Sequence, residues 1–246
     1  MRAVLTWHSL DESGSVISTA PSLFARQIDV LLERGVRVVP LHTLPFLPLD
    51  EHAVAITFDD GFVNFSTVAA PILASRVLPA TVFVVTGLLG GTNTWDTASL
   101  PRKIPEMALM NRDQVREAFN AGFDIGGHSV THRALTGLAP ELLDAEVGEC
   151  ARSIEAITGV RPLSFAFPYG ACDETSLDFV AERFPIACTT AFATLGSTTS
   201  PHALPRLDMF YFRSEGILNH WGTPLFTGYM KARQTGRRIR SVLSRG

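Results

Sequence analysis

Cysteine is scarce in this chain, with three in 246 residues. Cys150, Cys172 and Cys188 show no paired C-x-x-C spacing, which excludes a cysteine-built zinc or redox centre and leaves reduced thiols as the reading. Long apolar runs are missing too. None approaches the roughly 20 residues of a membrane span, and the opening Met1-Arg2-Ala3-Val4-Leu5-Thr6-Trp7-His8 reaches polar residues before a signal-peptide core could form. A cytoplasmic location is therefore the expectation. Nor is there an excess of positive charge: 21 Lys and Arg stand against 24 Asp and Glu, a net −3, so no global field draws the chain to nucleic acid.

One stretch departs from that balance. Residues 231–246 hold Lys231, Arg233, Arg237, Arg238, Arg240 and Arg245 and no acidic residue. They read as a basic C-terminal tail behind a single domain over residues 1–230. Such a run can reach an anionic membrane surface, here the inner face, at about 1 kcal/mol per basic residue near it.

What the chain does have is order-forming material. Hydrophobic residues make up 46% and charged residues 18%, the profile of a globular domain with one sizeable core. Short runs rich in Val, Ile, Phe and Thr alternate with segments of helical spacing, the pattern of strands and helices around a mostly parallel sheet. Strands are expected near residues 3–7, 36–40, 54–58, 80–85, 124–127, 164–167, 186–190 and 203–207. Helices are expected over 22–34, 64–75, 112–121, 141–158 and 174–183. Residues 87–105 form one long insertion carrying Trp95 and Asp96, and loops of that length in compact domains are often functional. Pattern alone leaves an α/β barrel and a doubly wound sheet both open.

Three strand ends carry the chemistry. Residues 53–58 are apolar and stop on Asp59-Asp60-Gly61. In α/β folds the carboxyl ends of parallel strands are where active-site groups gather, although Asp and Gly serve turns equally well. Adjacent carboxylates repel unless a cation neutralises one of them, and a metal would leave the second free to handle a proton. Residues 123–127 run into His128-Ser129-Val130-Thr131-His132. A compact turn can aim both imidazoles at one point, and two imidazoles with one carboxylate make a catalytic zinc set with open positions. Residues 163–167 end in Pro168-Tyr169-Gly170, a turn able to direct a backbone N–H, that of Tyr169, at an oxyanion.

T-F-D-D-G at residues 57–61, H-S-V-T-H at 128–132 and F-A-F-P-Y-G at 165–170, in this order, resemble the polysaccharide deacetylase family, the NodB-homology or carbohydrate esterase family four domain. The opening L-T-W-H-S at residues 5–9 is similar to the start of bacterial members. The resemblance implies a distorted (β/α) barrel of about seven strands. It implies that Asp60, His128 and His132 bind a divalent metal, usually zinc, with Asp59 as general base and the Tyr169 N–H at the oxyanion. The implied reaction removes an N-acetyl group from an N-acetylated sugar, releasing acetate, in exopolysaccharide or glycoconjugate assembly. A deformylase or deacetylase of a lipid-linked sugar, and a non-catalytic carbohydrate-binding protein, are the alternatives.

The sequence departs from the family pattern twice. Ser164 stands where many members carry a base-orienting Arg, and Arg206 is the expected replacement from a later strand end. The family's late L-x-H segment is matched loosely by Leu218-Asn219-His220, making His220 the candidate acid beside His8 and His202. His8, Trp95, Pro168 and Tyr169 are expected to contact substrate, and Trp95, Tyr169 and Trp221 are aromatic faces on which a sugar could stack.

Overall fold

The structure is a computed structural model that describes residues 1–95 and 104–243. Its strands are β1 (Arg2–Trp7), β2 (Ser9–Leu10), β3 (Ser18–Thr19), β4 (Arg37–Val38), β5 (Ala53–Phe58), β6 (Thr81–Val84), β7 (Asp124–Gly127), β8 (Ser164–Ala166), β9 (Ile186–Cys188) and β10 (Arg206–Asp208). Seven pair in the order β10-β1-β5-β6-β7-β8-β9, every pairing parallel, and β4 pairs with the first half of β5. Two residues before β10, Leu204 bridges to Cys188 of β9 in parallel. Its N–H donates to the Ala187 carbonyl at 2.8 Å, and its own carbonyl accepts from the Thr189 N–H at 2.9 Å. The sheet therefore nearly closes on itself, and of the two architectures left open by the sequence it is the barrel.

Strand alternation divides the core into an inside and an outside. Val4, Ala53, Ala55, Phe83, Ala166, Ile186 and Cys188 point inward and pack with Leu41, Leu44 and Leu204. Ala3, Leu5, Trp7, Val54, Ile56, Phe58, Val82 and Val84 point outward beneath the helices. Burial on both faces is why these strands read as continuous apolar runs. The tandem glycines of β7 follow from the same geometry. A Cβ on Gly126 would lie 2.5 Å from the Phe83 ring inside the barrel, and one on Gly127 would meet Phe165 and Cys150 outside it.

The helices are α1 (Pro21–Glu33), α2 (Ala70–Ala74), α3 (Arg112–Asn120), α4 (Pro140–Leu143), α5 (Glu149–Thr158), α6 (Glu174–Ala181) and α7 (Pro224–Leu243). Asn111 and Asp173 cap α3 and α6 through reciprocal side-chain and backbone bonds with Gln114 and Ser176. α5 ends at Gly159 in the left-handed conformation, the usual helix stop. Two wide turns of π geometry, Phe65–Ala69 and Asp144–Gly148, lead into α2 and α5. The helix expected over 141–158 is thus a continuous but mixed one. The expected tail is helical: α7 starts before residue 231, buries Phe226 and Met230, and hydrogen-bonds the Phe192 carbonyl through Gln234. Among the described residues no helix is long and apolar enough to cross a membrane. Asp96 lies outside the described residues.

Candidate metal centre and catalytic cleft

The three motif segments and the opening histidine land at the carboxyl ends of barrel strands. His8 follows β1, Asp59 and Asp60 follow β5, His128 follows β7, Phe167 to Gly170 follow β8, and Thr189 and Thr190 follow β9. All of these but Pro168, Gly170 and Thr189 line, with His132, a cleft of about 180 Å³ that has Ile17, Asn93, Trp95 and Ile104 on its walls and Arg206 at its base.

The turns that aim these side chains are strained. Four of the five non-glycine residues with left-handed φ in the described chain are Asp60, Ser129, His132 and Tyr169. Each such residue costs on the order of 1–3 kcal/mol, and outliers of this kind gather at functional sites held by their surroundings. Tyr169 and Gly170 are left-handed in succession, and a Cβ on Gly170 would sit 2.1 Å from Thr190 Oγ1, so only glycine closes this turn.

Asp60, His128 and His132 form one cluster, with all three potential ligand atoms within 4.8 Å of one another. His128 Nε2 lies 3.5 Å and His132 Nε2 3.3 Å from Asp60 Oδ1. The tautomer of His128 follows from its other partner: Nδ1 lies 2.7 Å from the Ala166 carbonyl, which can only accept, so the proton sits on Nδ1 and Nε2 is left as a ligand. Burial disfavours the charged form of Asp60, yet hydrogen bonds from both imidazoles hold its pKa well below the carboxylate range. Burial likewise opposes charge on His128, but the bond to Asp60 and the charges of both aspartates raise its pKa; at His132 burial prevails and lowers it. Two neutral-capable imidazoles and a held carboxylate, buried and convergent, are a donor set that fits a divalent ion such as zinc.

Asp59 points away from this set, to Arg206. The guanidinium meets the carboxylate face to face, Nη1 to Oδ1 at 2.6 Å and Nη2 to Oδ2 at 2.7 Å, with both side chains almost fully buried. The remaining donors of Arg206 go to the Thr189 carbonyl at 2.9 Å and Thr6 Oγ1 at 3.1 Å. Burial pushes the Asp59 pKa up, but the Arg206 charge and hydrogen bonds together with the neighbouring His128 and His8 outweigh it, so the carboxylate is held below its ordinary value. His8 Nε2 stands 3.8 Å from Asp59 Oδ2 on the open side of the cleft.

Four candidates fall outside the cleft lining, His220, Trp221, His202 and Pro168. His220 is an exposed residue at the end of the short helix Glu215–His220 and does not line the cleft. His220 is thus corrected as the candidate acid. Trp221 is 3% exposed and packs on Phe226 at 5.0 Å, so it is core, and no sugar reaches it. Trp95 does reach the site, its ring 4.5 Å from that of His132, and Tyr169 packs edge-on against the same imidazole at 4.7 Å. Pro168, expected to contact substrate, is buried, opens the Tyr169 turn and does not line the cleft. His202 is also absent from the cleft lining. Glu146, which sequence reading passed over, accepts hydrogen bonds from the loop between the two histidines.

A nearly closed parallel barrel with a carboxylate and two histidines at its mouth defines a class of α/β proteins with a metal-ready cleft. The chain belongs to the polysaccharide deacetylase family, whose model matches residues 47–184. YxkH of Bacillus subtilis (strain 168), named for the same family, is 24% identical over 208 residues, 82% of this chain and 66% of its own length. Chitin deacetylase 1 of Cryptococcus neoformans is 27% identical over 150 residues, 61% of this chain and 28% of its own. The chain thus spans less than two thirds of these relatives. IcaB from Ammonifex degensii shares the fold with a TM-score of 0.73 at 21% identity, covering 89% of this chain and 97% of that one. The Streptococcus pyogenes deacetylase PplD does so at 0.71 and 21%, covering 84% and 91%.

Proposed function

We propose that this protein is a metal-dependent hydrolase that removes the N-acetyl group from an N-acetylated sugar and releases acetate. The observation that carries the reading is the division of labour between two adjacent carboxylates: Asp60 faces His128 and His132, and Asp59 faces Arg206. Zinc is the ion the donor set fits best, through Asp60 Oδ1 and the Nε2 atoms of His128 and His132. When bound, such an ion supplies Lewis-acid polarisation of the acetamide oxygen and lowers the pKa of water.

The chain's own groups account for the proton traffic. Asp59, kept ionised by Arg206, accepts the proton of the attacking water, and the forked guanidinium fixes which way its oxygens face. In this reading the backbone N–H of Tyr169, whose left-handed turn lines the cleft, is the donor to the acyl oxygen as charge develops on it. The departing nitrogen needs a proton before the C–N bond breaks. His8 is the histidine of the cleft lining outside the ligand set, and it sits beside Asp59. The walls of Trp95, Ile17 and Ile104 are apolar and suit a sugar ring face and an acyl methyl.

The test is acetate release from a panel of N-acetylhexosamine oligomers, using metal-free protein reconstituted with zinc beside Asp59→Asn. Zinc-dependent release that the variant loses supports the reading. Formate release from N-formyl analogues alone would make the protein a deformylase. Zinc bound tightly with no turnover on any substrate would favour a binding role.

A further inference from the structure

The loop that carries both histidines is held from below by one buried carboxylate. Glu146 is 5% exposed and lies in the wide turn Asp144–Gly148 between α4 and α5. Its Oε2 accepts from the backbone N–H of Val130 at 3.1 Å and of Thr131 at 2.9 Å, and its Oε1 accepts from Thr131 Oγ1 at 2.6 Å. No cation lies within ion-pair distance of it among the described residues, so its partners are these three donors alone. We propose that Glu146 is a positioning residue for the metal centre, fixing the turn that sets the distance and angle between His128 and His132.

The need for such a brace is written in the backbone. Ser129 and His132 both adopt left-handed φ without being glycine, at 64° and 62°. A turn with two such residues persists only where its surroundings leave no alternative. Ser129 Oγ accepts from the His132 N–H at 2.8 Å, and the Thr86 and Gly87 N–H groups donate to the Ser129 and Val130 carbonyls on the other side. Val130 and Thr131, the two residues between these constraints, have their N–H groups satisfied by Glu146. The π geometry is part of the device. A wide turn shifts the helical phase where it occurs, and such turns recur at functional sites. Here the shift falls on the residues that deliver the carboxylate to the loop, in a helix that packs against β7 and α3 and buries Val147, Cys150 and Ile154.

The inference rests on the reading of Asp60, His128 and His132 as metal ligands, and the experiment separates the two. Zinc affinity is measured by competition with a chromophoric chelator on metal-free wild type, Glu146→Ala, Glu146→Gln, Glu146→Asp and His132→Ala, with the thermal midpoint of each metal-free protein alongside. Positioning predicts about 10- to 100-fold weaker zinc binding in Glu146→Ala, the usual cost of losing an outer partner of a ligand. Glu146→Gln keeps an acceptor for the two N–H groups and is expected within a few-fold of wild type. Glu146→Asp keeps the charge, withdraws it by one methylene and is expected to lose about tenfold. The reverse order, with Gln impaired and Asp intact, would mean that the charge acts and the position does not, and overturns the inference. So does a lowered midpoint with wild-type affinity in both Ala and Asp, which is the mark of a merely structural residue. Should Glu146→Ala fail to fold, the Gln and Asp pair decides alone. If His132→Ala binds zinc as well as wild type, the ligand reading itself fails, and the inference with it.

Discussion

Arg206 and Asp59 are 147 residues apart in the chain and meet in a two-pronged ion pair at the bottom of the cleft, at 2.6 and 2.7 Å. Each strand end alone would leave a buried charge: the guanidinium is 2% exposed and the aspartate 3%. The pair is what allows an ionised base to exist in so dry a place.

Arg206→Ala therefore leaves a buried carboxylate without its cation, and a destabilisation of about 3–5 kcal/mol is expected from denaturant unfolding. Arg206→Lys keeps the charge and loses the fork, so it should recover stability better than turnover. The pH dependence has a definite sign. In the wild type Asp59 titrates below its ordinary value, so the pair's stabilisation is present above the unfolded carboxylate pKa of about 3.9 and is lost as pH falls through the lower folded value. In Arg206→Ala burial, the largest single influence on Asp59, is opposed only by the neighbouring His128 and His8, so the pKa rises relative to the wild type and protonation stabilises the variant as pH falls. The stability gap between the two proteins should narrow from pH 7 towards pH 4; a constant gap would mean that the pair is not ionised.

The two histidines that compete for the acid role differ sharply in place. His8 lines the cleft 3.8 Å from Asp59, and His220 is exposed outside it. His8→Ala is expected to lower kcat by about 10²- to 10⁴-fold, the range of a general acid or base, with zinc content unchanged. His220→Ala should leave kcat within twofold. Equal losses in both variants would remove His8 from the role.

The barrel was legible because most of its strands obey one rule. Residues buried on both faces are mostly apolar, and the eight strand segments expected from such runs are all present, most within two residues of their ends. What escaped has no such signature. β2 and β3 are two-residue pairings, and the wide turns at Phe65–Ala69 and Asp144–Gly148 look in sequence like ordinary amphipathic helix. The basic charges of residues 231–246 drew attention from the Phe226 and Met230 spacing that binds α7 to the core. The motif residues could be read because a strand end plus a polar cluster is local. Glu146 could not, since its partners lie 15 and 16 residues away and only the folded turn brings them together. His220 misled because a three-residue pattern carries no information about where the chain has turned.

Cys150 and Cys188 have thiols pushed up to about 12 by burial, while Cys172 is only partly buried and its shift, also from burial, is smaller. A thiol with a pKa near 12 holds almost no thiolate at pH 8, and the thiolate is the nucleophile. Native protein treated with iodoacetamide at pH 8 should take up one label, at Cys172, and three in urea. Native labelling of Cys188 would mean that the barrel interior beside Arg206 opens to solvent.

Trp95 is the aromatic residue whose removal should separate binding from chemistry. Its ring lies 4.5 Å from that of His132 at an interplanar angle of 31° and lines the cleft, where a flat partner can stack on it. Stacking of this kind contributes about 0.5–1.5 kcal/mol, so Trp95→Ala should raise KM for an N-acetylated oligosaccharide by about 2- to 10-fold. A uniform binding contact leaves kcat unchanged. Trp95→Phe should restore most of the loss, because the ring face and not the indole N–H makes the contact. If Trp95→Ala instead lowers kcat at constant KM and weakens zinc binding, the indole acts through His132 as a brace on the metal site, and the sugar must find its platform on Tyr169 across the cleft.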